Sequence, residues 1–105
     1  MGKREIIIKE LRRFKNALKK KIAIDSIIFF GSRAYGRPHR DSDIDLIIVS
    51  KDFERKKFRE RAIGFYKYWD LDYAVDFLCY TPEEFKKLSK QITLVSEALL
   101  RGIRI

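Results

Sequence analysis

Two short apolar runs, Ile27-Ile28-Phe29-Phe30 and Leu46-Ile47-Ile48-Val49, bracket a polar stretch that holds Gly31-Ser32-Arg33-Ala34-Tyr35-Gly36 and Ser42-Asp43-Ile44-Asp45. This arrangement constrains the fold more than any other feature of the chain. Compact runs of Ile, Val, Leu and Phe read as buried strands. One run ends at a glycine turn and the other starts on two carboxylates, so both polar motifs should be held at strand ends. The spacer Arg37-Pro38-His39-Arg40-Asp41 is polar and contains proline, which places it in a surface loop.

Side chains two apart on a strand share a face, about 7 Å apart at their Cα atoms. A second strand from about Asp43 to Val49 would therefore point Asp43 and Asp45 the same way. Carboxylates so placed can share a pair of divalent ions about 4 Å apart, the arrangement used for in-line phosphoryl transfer. Mg²⁺ suits this role because it takes few carboxylates and fills its shell with phosphate oxygens and water. Gly31 and Gly36 permit positive φ and let backbone amides approach a phosphate with no Cβ in the way. Ser32 adds a hydroxyl donor, and Arg33, Arg37 and Arg40 could neutralise phosphate charge. A third carboxylate should complete the metal site. Asp76 is the best candidate, because it interrupts the apolar strand expected over about Tyr73 to Tyr80 and would be costly to bury without a cation or donors. Asp72 precedes that strand and reads as a turn residue.

The rest of the chain supplies a scaffold. Ile7, Leu11, Phe14, Leu18 and Ile22 recur at helical spacing and predict a first helix. The segment from Phe53 to Trp69 reads as a second, with Phe58, Ala62, Phe65 and Trp69 on one stripe. Thr81-Pro82-Glu83-Glu84 is a helix start with a capping box and proline at the first position. A further helix carries Ile92, Val95 and Leu99 and stops at Gly102, and Ile103 to Ile105 could add an edge strand. On the second strand Ile47 and Val49 continue the Asp43 and Asp45 face, and in so short a chain a partner or a second copy is expected to cover part of it.

One domain over residues 1–105 is expected from the length, and 46% hydrophobic residues favour a compact fold over disorder. No apolar run reaches the roughly 20 residues of a membrane helix, and Ile6-Ile7-Ile8 is too short for a signal peptide, so a cytoplasmic protein is expected. Cys79 is the only cysteine and reads as a small core residue. Lys and Arg number 24 against 15 Asp and Glu, a net charge of +9 that favours polyanions or an acidic partner. No RNA-binding signature accompanies it. His39 reads as a solvated loop residue.

At Gly31, Ser32, Ala34, Gly36, Ser42, Asp43, Asp45 and Leu46 the chain resembles the minimal nucleotidyltransferases of the DNA polymerase β superfamily, whose signature is G-S-x-A-x-G, a spacer, then S-D-x-D-L. The resemblance implies an α/β (α+β) fold with a small mixed sheet flanked by helices. It implies two Mg²⁺ on Asp43, Asp45 and Asp76, and a nucleoside triphosphate, usually ATP, held at Gly31, Ser32, Arg33, Gly36 and Ser42. It also implies transfer of a nucleoside monophosphate to an acceptor hydroxyl with release of pyrophosphate. Larger relatives hold their acceptors in extra domains, so here the acceptor should dock from outside. Stand-alone proteins of this size resemble antitoxins that would adenylylate a tyrosine of a HEPN-domain ribonuclease toxin, and that role is the leading expectation. Two other readings stay open: nucleotide transfer to RNA or a small molecule, and a binding module that acts without catalysis.

Overall fold

In a computed structural model, which describes residues 2–105, the apolar patterning resolves into three layers. Helix α1 (Lys3–Leu18) buries Ile7, Leu11, Phe14 and Leu18, the expected stripe. It stops at Leu18 rather than continuing to Ile22. The amide of Ala23 donates to the Asp52 carboxylate at 2.8 Å, which draws the chain away toward the sheet, and Ile22 packs on the core from this turn.

Strands β1 (Ser26–Phe30), β2 (Ile44–Val49), β3 (Val75–Tyr80) and β4 (Ile103–Arg104) form one mixed sheet in the order β3-β2-β1-β4. β1 pairs antiparallel with β2 and β4, and β2 pairs parallel with β3. The residues alternate cleanly between faces. Ile27, Phe29, Leu46, Ile48, Phe77 and Cys79 pack toward α1. Ile28, Phe30, Ile47 and Val49 pack against Val95 and Ala98, with Leu78, Phe85 and Leu88 around them. Thus α3 (Pro82–Ser89) and α4 (Leu94–Arg101) cover the face below the aspartates. The expectation that a partner or second copy must cover that face is corrected: Ile47 and Val49 are sealed by the chain's own helices.

The segment 53–69 also departs from expectation. It forms three short 3₁₀ turns, Lys51–Phe53, Phe58–Glu60 and Phe65–Tyr68, instead of one helix. Gly64 adopts φ +91°, a left-handed conformation that ends any right-handed helix. Arg61 turns inward, where a regular surface helix would have solvated it. Phe65 is buried and Trp69 packs edge-on against Phe14, but Phe58 is half exposed. Ile92 is likewise not part of the α4 stripe. Thr93 and Ser96 form a capping box, and the Thr93 hydroxyl also donates to the Leu88 carbonyl, so α4 begins at Leu94 and leaves Ile92 outside. The box at Thr81 and Glu84 forms as the sequence predicts. Among the described residues no helix is long and apolar enough to cross a membrane.

Candidate active site

Gly31 leaves the end of β1 with φ +83° and turns the chain into the four-residue helix α2 (Ser32–Tyr35). A Cβ at Gly31 would overlap Oδ2 of Asp45. The backbone of the turn therefore lies directly against a carboxylate of β2, and only glycine fits both the torsion and the approach. Gly36 closes the turn, its amide donating to the Ser32 carbonyl at 2.9 Å, and a Cβ there would stand 2.9 Å from Ser32 Cα. The amides of Ala34 and Tyr35 donate to the Gly31 carbonyl at 3.0 and 3.1 Å, which leaves those of Ser32 and Arg33 without an acceptor within the helix.

Parallel pairing sets Asp45 beside Asp76, one residue into each strand. Asp43 lies one residue before β2, on the same face by strand parity. Asp45 is partly buried, whereas Asp43 and Asp76 are exposed. The expectation that Asp76 sits buried in an apolar strand is therefore corrected: β3 is an edge strand and Asp76 is at its open end. The Asp45 carboxyl is held above the ordinary carboxylate range, first by burial, then by the negative charge of Asp76 and of Asp43. Among the described residues none of the three takes part in an ion pair.

Uncompensated carboxylates gathered at one strand end form a donor set that suits a hard divalent cation such as Mg²⁺. As they stand they do not enclose one: among the described residues no three His, Cys, Asp or Glu side chains converge closely enough to hold an ion. An ion would have to draw the carboxylates together by side-chain rotation, for which the exposed Asp43 and Asp76 have open space.

The other residues expected at the site have varied surroundings. Ser32 lies beside Gly31, partly exposed. Ser42 accepts the His39 amide on Oγ at 2.7 Å, which pins the loop. Arg33 donates from Nε to the Ser42 carbonyl at 2.7 Å and from Nη2 to the His39 and Arg40 carbonyls at 3.1 and 3.2 Å. Its guanidinium lies 4.4 Å from the centroid of the Tyr73 ring. Arg37, His39 and Arg40 are exposed. Sequence reasoning missed the Tyr73 contact, and also Arg101 of α4, which stacks at 4.3 Å on Tyr35. No local pattern announces contacts between residues 40 or 66 positions apart. Cys79 is buried in the sheet, where desolvation pushes its thiol up to about 12, consistent with an inert core residue.

The Gly31 turn thus packs on Asp45 beside Asp76 at the end of a mixed sheet. The chain belongs to the nucleotidyltransferase domain family, whose sequence profile matches residues 11–101. Domains of this family generally use nucleoside triphosphates and divalent metals. The fold is similar to the crystal structure of a candidate nucleotidyltransferase, with 26% identity, a TM-score of 0.51, and coverage of 93% of this chain and 96% of that one. A candidate nucleotidyltransferase from Sulfolobus solfataricus shares the fold with 24% identity, a TM-score of 0.50, and coverage of 83% and 82%. No curated protein matches the chain.

Proposed function

We propose that this protein transfers AMP from ATP to a hydroxyl group of a partner protein. The observation that carries the proposal is the packing of the Gly31 turn on Asp45, with Asp76 alongside; backbone amides beside carboxylates are what a phosphate-and-metal site needs. The amides of Ser32 and Arg33 and the Ser32 hydroxyl would bind the triphosphate. Asp43, Asp45 and Asp76 would hold two Mg²⁺. Bound there, the ions supply positive charge to the phosphates and make the acceptor hydroxyl easier to deprotonate. The acceptor oxygen forms the new bond to the α-phosphorus, the bond from that phosphorus to the bridging oxygen breaks, and pyrophosphate leaves with the electron pair. Asp76, exposed at its strand end, takes the hydroxyl proton on a carboxylate oxygen.

The partner in this reading is a HEPN-domain ribonuclease toxin modified on tyrosine, with this chain as its antitoxin. That assignment extends the resemblance of the Gly31–Leu46 motif to the minimal nucleotidyltransferases, among which such antitoxins are found. A protein acceptor is further supported by Ile92, Leu94 and Leu100, three large aliphatic side chains exposed along a shallow groove of about 600 Å³ on the α3–α4 hairpin. RNA is the second reading, supported by the exposed basic side chains Arg4, Lys9, Arg12 and Arg13 on α1.

Incubation with Mg²⁺, α-labelled ATP and the candidate toxin or a lysate, beside an Asp45→Asn control, distinguishes the readings. Label on protein with the wild type alone supports the proposal. Label on RNA overturns the protein acceptor. No transfer, with toxin rescue retained by Asp45→Asn, supports a binding module.

A further inference from the structure

Arg33 occupies the second position of α2, immediately after the turn that would bind phosphate, and its charge invites the role of a phosphate ligand. Its contacts point elsewhere. Nε and Nη2 donate to the carbonyls of His39, Arg40 and Ser42, the last stretch of loop before Asp43. The same guanidinium lies over the ring of Tyr73, three residues before Asp76, with its carbon 4.4 Å from the ring centroid. Tyr73 is itself fixed, because its carbonyl accepts the indole N–H of Trp69 at 2.8 Å, and Trp69 packs on Phe14 and Phe77. The loop closes on itself as well, with the Ser42 amide on the His39 carbonyl at 3.1 Å and the His39 amide on Ser42 Oγ.

Apart from these bonds the loop has little to hold it. Residues 37–41 are exposed, and Asp43 precedes the first residue paired with β3. The segment that presents Asp43 is thus fixed largely by one planar cation reaching from the glycine-turn helix to the foot of β3. We infer that Arg33 is a positioning residue: it ties the glycine-turn helix to the backbone that presents Asp43 and, through Tyr73, to the strand that carries Asp76, so that side-chain rotation alone can bring the carboxylates to a divalent ion. The inference rests on the nucleotidyl-transfer reading for the purpose of the clamp, though not for its existence.

Arginine and lysine separate a clamp from a phosphate ligand. A lysine keeps the charge, and as a point charge it serves a phosphate well. It cannot reproduce a fork that donates to several carbonyls while stacked on a ring. Three measurements on wild type, Arg33→Lys and Arg33→Met test the clamp: Mn²⁺ affinity by paramagnetic resonance, ATP affinity in chelator, and hydrogen exchange over residues 37–43. Lost partners behind a metal ligand cost about 10–100-fold in metal affinity. The clamp predicts that loss in both variants, faster exchange of the loop amides in both, and metal-free ATP affinity within about twofold of wild type.

If Arg33→Lys behaves as wild type while Arg33→Met loses metal-free ATP binding, Arg33 is a phosphate ligand and the inference is overturned. Unchanged loop exchange in both variants overturns it as well. If the wild type binds neither Mn²⁺ nor ATP, the functional reading fails, and exchange alone then decides whether the clamp exists. Should Arg33→Met not fold, Tyr73→Leu removes the ring beneath the guanidinium and is expected to show the same faster exchange and weaker Mn²⁺ binding; a wild-type result in that variant counts against the clamp.

Discussion

The parallel pair of β2 and β3 has two ends, and they treat charge in opposite ways. At the starting end, Asp43, Asp45 and Asp76 gather with no cationic partner among the described residues, and their mutual repulsion helps hold the Asp45 carboxyl up. At the finishing end, Arg61 is buried yet fully engaged. It donates to the Lys56 and Cys79 carbonyls at 3.1 Å and pairs through both terminal nitrogens with Glu84. Glu84 in turn closes the capping box of α3, and its carboxyl is held below the usual range, mainly by the Arg61 hydrogen bond. The same two strands thus carry a satisfied ionic cluster at one end and an unsatisfied one at the other. A chain with 24 basic residues has ample means to neutralise three aspartates. Leaving them free fits a site awaiting a cation, whereas the Arg61–Glu84 cluster fastens the irregular 51–69 segment to the helix that follows β3.

Asp45→Asn should break the comparison most sharply. It is expected to lower nucleotide transfer by about a thousandfold or more, yet to raise the melting temperature near neutral pH by roughly 2–5 °C. The pH dependence follows from the raised carboxyl. Such a group favours the folded state below its unfolded pKa, and that contribution is lost as pH rises through the folded value. The stability advantage of Asp45→Asn should therefore shrink on acidification below that value. Calorimetry from pH 7 to pH 4 measures it, and an advantage that grows toward acid pH would refute the assignment.

Gly31→Ala comes next. Adding a Cβ at positive φ against Asp45 Oδ2 should cost about 1–2 kcal/mol from the torsion alone and reduce transfer at least tenfold by displacing the carboxylate. Chemical denaturation and the labelled-ATP assay read the two effects. Wild-type transfer by a folded variant would show that the close approach is incidental.

Arg61→Met acts at the other end and should affect stability alone. It strands the buried Cys79 carbonyl and removes the part-buried bond to Lys56, for an expected loss of about 1–3 kcal/mol, while transfer per folded molecule stays near wild type. The smallest effect is expected of Glu84→Gln, because that carboxylate is 44% exposed and its pairing is screened by solvent. Its pH signature is the mirror of Asp45. A lowered carboxyl contributes stability that is present above its unfolded pKa and lost as pH falls through its folded value. Glu84→Gln should therefore flatten the loss of melting temperature below about pH 4.5. Opposite pH trends at Asp45 and Glu84 would sharpen the contrast between the two strand ends; parallel trends would dissolve it.

Much of the fold was legible because local physics decided it. The α1 stripe from Ile7 to Leu18, the strand at Ile27–Phe30 and the Thr81–Glu84 box each depend on residues near one another in the chain, and each formed as read. The 51–69 segment was not legible. Its apolar spacing suits a helix, but the inward pull on Arg61 comes from Cys79 and Glu84, 18 and 23 positions away. Ile92 failed for a local reason, since the second box at Thr93 and Ser96 begins the helix after it.

The sequence by itself determined which groups are on hand for the proposed chemistry: a glycine turn, a hydroxyl, and three aspartates at strand ends, all set by residue type and short-range spacing. Tertiary structure alone decided how they relate. Parallel register put Asp76 beside Asp45, the Gly31 backbone came to rest on a carboxylate fourteen residues away, and Arg33 turned from the turn toward the loop and Tyr73. Those relations depend on which strands pair and which surfaces pack, and such choices are made by the whole core at once rather than by any segment of the chain.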